Sequence, residues 1–265
     1  MKQVLKDGRI VNVEKGINGK NFVTMESIFP VFHAVSGNTK TGSHVGNYNL
    51  PIEYTCDHRC ECYKKGLCYA ESGCYLYTNN QASYTENYLF YKISTIETIV
   101  KSINEFIRNN NFSLFRYFTC GDIPGEKFLR VMIQVAKDNP SVKFWAYTKK
   151  YTIVNTYIDN NGRDAIPANL RIIFSHWMNQ DGSYFPMNNK YNLATSEFIP
   201  FGREELKEKV THICPCSDPS IKATCETCDH PCYNLKDGES MALLEHSTSQ
   251  TKKRDKEIRE AHAKL

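Results

Sequence analysis

The chain has 265 residues, of which 41% are hydrophobic and 12% aromatic, and its formal net charge is +4. This length permits one large domain or two small ones with a sizeable core. No segment approaches the roughly 18 consecutive apolar residues of a transmembrane helix, and the opening residues lack the apolar region of a signal peptide. We therefore expect a cytoplasmic protein that does not associate with membranes. The mild charge permits nucleic-acid binding but does not argue for it.

Cysteine is unusually frequent, with 11 residues in the chain. Disulfides are rare in a reducing compartment, and an odd number of cysteines cannot pair completely. Exposed thiols also oxidise unless something binds them. The cysteines therefore predict metal ligation, and the alternative is a disulfide-bonded or merely cysteine-rich loop.

The N-terminal part predicts short strands and turns over residues 1–30, where Asp7-Gly8 and Asn18-Gly19 are turn dipeptides between apolar residues. Residues 36–47 are polar and glycine-rich and predict a connecting loop. Alternating apolar side chains then predict a strand that leads into the first cysteine-rich loop: Tyr48, Leu50, Ile52 and Tyr54.

The middle of the chain alternates between helical and strand patterns. Apolar residues at helical spacing predict one helix from Tyr84 to Phe106. Short apolar runs predict buried strands at Phe112–Thr119, Val142–Tyr147 and Leu170–Phe174, with an amphipathic helix after each of the first two. Strands that alternate with helices form βαβ units, so we expect an α/β fold with mainly parallel strands.

Polar residues follow each predicted strand, at the edge of a parallel sheet where sites form. These strand ends carry Cys56 to Cys68, Gly121-Asp122, Thr148-Lys149 and Ser175-His176. The pattern predicts one site, with Lys149, Ser175 and His176 as candidate catalytic residues that face a small-molecule or macromolecular substrate. The alternative for His176 is packing or hydrogen bonding.

Asp122 has two compatible interpretations. As a structural residue it would cap the helix that begins near Pro124. As a functional residue its carboxylate would bind an amine or ammonium group at the edge of the sheet.

The first cysteine group directly follows a predicted strand and contains Cys56, Cys60, Cys62 and Cys68. A cluster bound by three cysteines leaves one iron open to a further ligand, and an open position distinguishes a reactive metal site from a closed structural one. The alternative is a closed zinc site that uses all four thiolates. Cys74 is expected to be free.

The second cysteine group comes after a predicted loop over residues 178–200 and a short predicted helix, Glu204 to Val210. Four thiolates suit tetrahedral zinc and a 4Fe–4S cluster equally, and closed sites of this kind are usually structural. The four predicted ligands are Cys214, Cys225, Cys228 and Cys232, and Cys216 is an alternative to Cys214. The charged tail from Lys252 to Leu265 predicts a solvated helix or a frayed end.

Several motifs together carry a family resemblance: SGNTKTG, NLPIEYTC, CYKKGLCYA, FRYFTCGDIPGEKFL, KFWAYTKKYTIVN, IPANLRIIFSHW and CETCDHPCYNLKDGE. They span roughly residues 35 to 246. On these motifs the sequence resembles the phage "gene product eighty-eight"-like domain family, found in phages and mobile elements.

The order of the motifs also resembles the radical S-adenosylmethionine (SAM) superfamily. That resemblance implies a partial TIM-like (β/α)6 barrel whose 4Fe–4S cluster is held by Cys56, Cys62 and Cys68, with Gly121 and Asp122 where the superfamily holds the SAM amino group. The spacing departs from the usual Cys-x3-Cys-x2-Cys, so Cys60 is an alternative to Cys56 or Cys62. The second cysteine group resembles auxiliary cluster regions, which favours iron over zinc there.

The resemblance implies four segments: N-terminal strands and loop (1–46), the barrel (47–210), a cysteine-rich metal-binding extension (211–246) and the charged tail (247–265). It implies an iron–sulfur protein with one open and one closed 4Fe–4S cluster, and SAM as a further cofactor. One alternative is a zinc-stabilised binding module that acts on nucleic acid, because aromatic residues suit base stacking. Another is an iron–sulfur barrel that does not bind SAM, since fold does not fix function.

Overall fold

The computed structural model describes residues 1–16, 19–38, 41–57, 68–71, 73–177, 186–199, 210–218 and 221–245. Within these ranges two sheets form, one of three strands and one of eight. No helix in the described ranges has the length and apolar character needed to cross a membrane.

The small sheet is antiparallel and consists of β1 (Lys2–Val4), β2 (Ile10–Lys15) and β3 (Asn21–Val23). It confirms the predicted strands and the predicted turn at Asp7-Gly8, whereas Asn18 of the other predicted turn lies outside the described residues. Its buried apolar side chains pack against Ala82 of a later helix, so the sheet has a core of its own: Leu5, Val11, Val13, Val23 and Ile28.

The large sheet has the strand order β10-β11-β9-β8-β7-β6-β5-β4. All neighbours are parallel except β4 and β5, which are antiparallel. The predicted α/β class with mainly parallel strands is therefore confirmed. The strands are β4 (Ala34–Asn38), β5 (Gly42–Tyr48), β6 (Leu114–Tyr117), β7 (Lys143–Thr148), β8 (Leu170–Trp177), β9 (Thr195–Ile199), β10 (His212–Ile213) and β11 (Ser240–Leu244).

Helices connect the strands in the middle of the chain: α1 (Ile52–Thr55), α2 (Thr78–Ile93), α3 (Ile96–Asn110), α4 (Glu126–Asp138) and α5 (Tyr151–Asn161). The helices predicted after β6 and β7 are present as α4 and α5. The prediction of a single helix from Tyr84 to Phe106 is wrong, because the helix is interrupted between α2 and α3. The Thr95 side chain accepts a hydrogen bond from the Thr98 backbone N–H, and this cap starts a new helix at the break.

Two predicted loops contain strands. In the range 36–47, residues 36–38 belong to β4 and residues 42–47 to β5, and the two strands pair from Ala34 with Tyr48 to Asn38 with Gly42. Residues 178–200 contain β9, whose buried side chains include the polar Ser196 and Glu197, so it lacks an apolar pattern.

The strand predicted from Tyr48 to Tyr54 ends at Tyr48, and helix α1 begins at Ile52. Pro51 lies between them and has no N–H with which to continue a sheet ladder. The predicted helix from Glu204 to Val210 and the charged tail lie almost entirely outside the described residues.

Side chains alternate along the strands and give the large sheet two different faces. One face packs on the helices through large aromatic residues such as Phe115, Tyr117 and Phe144. Full burial of one such side chain stabilises the fold by about 2–3 kcal/mol. The opposite face, which we call the cysteine face, is formed by Val45, Trp145, Ile173 and Met241, and it packs on residues of the second cysteine segment: Cys214, Cys225, Cys232, Tyr233 and Leu235.

The C-terminal segment is part of the large sheet. It supplies β10 and β11, and Asp237 holds it to the body of the protein through ion pairs of 2.9 Å with both Arg163 and Arg171. The predicted segment boundaries after residues 46 and 210 therefore do not separate independent units, because β5 crosses the first and strands on both sides of the second share one sheet.

Candidate functional site

The ends of strands β5 and β6 are joined at the carboxyl edge of the sheet. The Asn49 side-chain oxygen accepts hydrogen bonds from the Thr119 hydroxyl (2.7 Å) and from the Cys120 backbone N–H (3.2 Å). The Leu50 N–H donates to the Cys120 carbonyl at 3.0 Å. The first two predicted strand ends thus lie side by side, and their backbone positions are fixed by buried hydrogen bonds.

Gly121 adopts a backbone conformation that only glycine accepts easily. Its φ is +88°, and a Cβ atom at this position would lie 2.4 Å from the Leu50 carbonyl oxygen. The glycine therefore allows the two strand ends to approach closely.

Asp122 is buried, and protein donors already occupy both of its carboxylate oxygens. Oδ1 accepts from the Thr148 hydroxyl (2.6 Å) and the Ile123 N–H (2.7 Å), and Oδ2 accepts from the Lys149 N–H (3.0 Å). Burial raises the pKa of this carboxyl group, and these hydrogen bonds act against that rise. Since a carboxylate accepts about four hydrogen bonds, little capacity remains for a ligand amine.

The predicted capping role of Asp122 is wrong. Helix α4 begins at Glu126 with Gly125 at its N-cap position, and no side chain caps it. Asp122 instead ties the end of β6 to the end of β7.

The three candidate catalytic residues separate into two places. Lys149 Nζ lies 3.4 Å from the Ser175 hydroxyl, so these two side chains are neighbours. His176 follows Ser175 within strand β8 and points to the other face. Its Nδ1 lies 2.9 Å from Glu197 Oε2 in β9.

Glu197 was missed by the sequence analysis because its segment was predicted to be a loop. The Thr195 hydroxyl donates to Glu197 Oε1 at 2.7 Å, which orients the carboxylate toward His176. Only the parallel pairing of His176 with Glu197 in the sheet brings this pair together.

The first cysteine group lies at the same edge of the sheet. Cys56 and Cys68 are partly buried and pack against a cluster formed by Ile52, Ala70 and Cys120. Cys60 and Cys62 lie outside the described residues. Cys74 is exposed. Cys120 was not predicted as a member of this group, although its place at the end of β6, next to Gly121, was a signal that could have identified it.

Glu71 is a further acidic group beside the first cysteine loop. Its side chain is buried, and Oε1 has no hydrogen-bond partner among the described residues. Burial raises the pKa of Glu71 from 4.5 to about 7, the negative charge of Glu53 adds to the rise, and Lys20 opposes it. The group therefore changes charge near neutral pH.

We predict that Glu71→Gln stabilises the protein at pH 8 and has little effect at pH 4. Between pH 4.5 and 7 the folded protein keeps a proton that the unfolded chain has released, so stability falls as the pH rises through this window. Removing the charge should raise the free energy of unfolding at pH 8 by about 1–2 kcal/mol, a value that is reduced to account for solvent screening. Urea unfolding at both pH values measures the effect, and exposed Glu105→Gln is the control. A Glu71→Gln protein that is less stable at pH 8 would contradict burial as the cause.

The second cysteine group is gathered on the cysteine face. The Cys216 thiol hydrogen-bonds to Cys214 and Cys225, and the bond with Cys216 lowers the pKa of Cys214 to about 6. The Tyr147 hydroxyl donates to Cys232 Sγ at 2.7 Å. Burial raises the pKa of Cys232 to about 12 and also raises the pKa of Cys228.

Arg116 lies among these thiols. It belongs to β6 and points to the cysteine face, because its neighbours Phe115 and Tyr117 point to the helices. Its guanidinium carbon is 5.1 Å from the centre of the Tyr147 ring. Together with the hydrogen bonds from Cys216, its positive charge lowers the pKa values of Cys214 and Cys225, and it opposes the rise that burial causes at Cys232.

The thiols are close but are not arranged as a finished metal cage. Across the described ranges, no group of three or more Cys, His, Asp or Glu side chains has an arrangement that could hold a metal ion.

A comparison with family models gives one match, to the family described as gene product 88, over residues 31–197. The chain belongs to this family. The match includes β4 to β8 and the first cysteine loop, and it ends before the second cysteine group begins at Cys214. No curated protein and no solved structure matches the chain. The radical SAM resemblance has no support from these comparisons.

Proposed function

We propose that this gene product 88 family member is an iron–sulfur protein whose two cysteine groups each bind an inorganic centre. In this proposal the consecutive parallel strands form a partial TIM-like barrel with the layout of the radical SAM superfamily. The order of β5, β6, β7, β8 and β9 along one sheet supports that layout. The position of Cys56 and Cys68 at the carboxyl edge supports a site there.

The observation that carries the proposal is Arg116 among the thiols of the second group. Placing a guanidinium inside a protein is costly unless an anion accompanies it. The Arg116 Nε is buried and has no hydrogen-bond partner among the described residues. Among the described residues, the charged or titratable groups that act most strongly on Arg116 are three tyrosines and the Cys225 thiol, and none of these is a carboxylate. Thiolates bound to metal would supply the missing negative charge.

The donor sets suit the proposed centres. Cys56, Cys62 and Cys68 would hold the first, with Cys60 as an alternative to Cys56 or Cys62. Cys214, Cys225, Cys228 and Cys232 would hold the second, with Cys216 as an alternative to Cys214. Soft thiolate donors select iron–sulfur clusters or zinc. A bound iron–sulfur cluster would supply electron transfer, whereas zinc in a closed four-cysteine site would supply structural support.

Asp122 weakens the part of the proposal that concerns SAM. Its carboxylate already accepts three protein hydrogen bonds. The small remaining capacity favours an iron–sulfur protein that does not hold SAM through Gly121 and Asp122. Lys149 and Ser175 remain the candidate residues that would face a substrate at the carboxyl edge, and Glu197 would hold His176 as a positioned base or hydrogen-bond donor on the other face.

Metal and sulfide analysis of anaerobically purified protein tests the proposal. We expect iron, acid-labile sulfide and a broad absorbance near about 400 nm. Cys225→Ser should remove the second centre and leave the first, and Cys74→Ser, at an exposed cysteine, should change nothing. Colourless protein with stoichiometric zinc would replace the proposal with the zinc-stabilised module. Protein free of both metals would overturn it.

A further inference from the structure

We propose that Lys149, Ser175 and Ser196 form a subsite that binds the oxyanion of a ligand, a carboxylate or a phosphate group. This inference names the substrate class for the proposed function. It rests on the part of that proposal in which Lys149 and Ser175 face a substrate, and it needs neither of the inorganic centres.

The three residues lie on neighbouring strands and share the cysteine face. Lys149 directly follows β7, and its Nζ lies 3.4 Å from the Ser175 hydroxyl in β8. Ser175 and Ser196 are direct partners in the pairing of β8 with β9, and partners in neighbouring strands are about 4.8 Å apart. Because side chains alternate along a strand, both serines share the face of Ile173 and Ala194. Three donors therefore lie within reach of one small anion.

The Ser196 hydroxyl is a buried polar group without a partner. The residue is 1% exposed, and its Oγ has no hydrogen-bond partner among the described residues. Its neighbours on the cysteine face are apolar, since Ala194 lies two residues before it and Met241 is its partner in β11. A buried hydroxyl without a hydrogen bond costs stability, and alanine would fill the position without that cost. A ligand oxygen that accepts a hydrogen bond would satisfy this hydroxyl.

The other two side chains are half-buried, and their backbones are held in place. The Lys149 N–H donates to Asp122 Oδ2 at 3.0 Å, and the Ser175 carbonyl accepts from the Tyr151 hydroxyl. Donors that are fixed on strand ends in this way are preorganised for binding. The partial exposure of Lys149 and Ser175 lets a ligand reach them from solvent.

The charges and hydrogen-bonding groups favour an anion. A lysine ammonium group offers three donors and no acceptor, and each serine hydroxyl can donate once. Asp122 is a carboxylate beside Lys149, but it already accepts three protein hydrogen bonds. The Glu197 carboxylate points to the helix face, where it lies 2.9 Å from His176 Nδ1. The subsite thus presents donors and one positive charge, which suit the oxygens of a carboxylate or a phosphate.

The test titrates the full chain with inorganic phosphate and, separately, with acetate, at pH 7 and constant ionic strength, and follows the melting temperature. The anion that saturates at the lower concentration identifies the ligand group as phosphate or carboxylate. We expect Lys149→Gln and Ser196→Ala each to weaken binding by about tenfold, because each removes one hydrogen bond to a charged group. Lys143→Gln, which changes an exposed lysine at the other end of β7, should bind like the wild type.

Ser196→Ala also distinguishes a ligand role from a structural one. Without added anion this variant should melt at or above the temperature of the wild type, because it removes a buried hydroxyl that has no partner among the described residues. A lower melting temperature would show that the hydroxyl stabilises the fold, and it would overturn the subsite.

The same preparations are analysed for iron, so that the two proposals can fail separately. Iron-containing protein that neither anion stabilises with saturation, or whose Lys149 and Ser196 variants bind like the wild type, would overturn the subsite and leave the proposed function in place. Protein without bound metal, in which both substitutions still weaken anion binding, would overturn the inorganic centres and support the subsite.

Discussion

Asp122→Ala is expected to lower the free energy of unfolding by about 3–5 kcal/mol. The substitution leaves three donors without an acceptor: the Thr148 hydroxyl and the backbone N–H groups of Ile123 and Lys149. Thr148 is buried and cannot turn to solvent without opening the junction between β6 and β7. Each buried donor left unpaired costs about 1–3 kcal/mol.

Urea unfolding at pH 7 measures the loss of free energy of unfolding. If this free energy depends on the urea concentration with the same slope in variant and wild type, the two unfolding transitions can be compared directly. Asp122→Asn is the matched control. Its remaining oxygen can still accept from Thr148 and Ile123, but its amide group would face the Lys149 N–H, so we expect a smaller loss of about 1–2 kcal/mol. An alanine variant as stable as the wild type would contradict the role of this carboxylate in stabilising the fold.

The central fold could be predicted because its apolar residues follow regular periods. Helix α4 repeats Phe128, Leu129 and Met132 on one face, and all three are fully buried. Strand β7 offers Phe144, Trp145 and Ala146 to both faces of a sheet that is covered on both sides. A continuous apolar run is typical of such a strand.

Strands β9 and β4 could not be predicted because the residues that stabilise their pairing belong to other parts of the chain. The buried Ser196 and Glu197 of β9 are stabilised by neighbours in β8 and β11, which no local pattern reveals. Strand β4 gains its hydrogen bonds from β5, whose first residue, Gly42, has a φ of +101°.

The residues of the candidate site also divide into those that the sequence could predict and those that it could not. The rule that strand ends share an edge identified Asp122, Lys149 and Ser175, since it depends only on where strands stop. It could not identify Arg116 or Glu197, whose partners come from distant strands and from the C-terminal segment. Residues that matter through packing between segments need the structure.

Gly121→Ala is expected to destabilise the protein by about 3 kcal/mol or more. Two costs add at this position. A φ of +88° disfavours any side chain, and the new Cβ would lie 2.4 Å from the Leu50 carbonyl oxygen and 2.9 Å from its carbonyl carbon. These are backbone atoms, and the hydrogen bond from the Leu50 N–H to the Cys120 carbonyl holds them in place. The overlap can therefore be removed only if the ends of β5 and β6 separate.

Gly8→Ala is the matched control, because Gly8 has a similar φ of +84° and a Cβ added there would meet no atom within 4 Å. It carries the conformational cost without the overlap, and we expect a loss of about 1 kcal/mol. The difference between the two variants, measured by urea unfolding, is the cost of the close approach. Equal losses would mean that the ends of β5 and β6 are free to move apart.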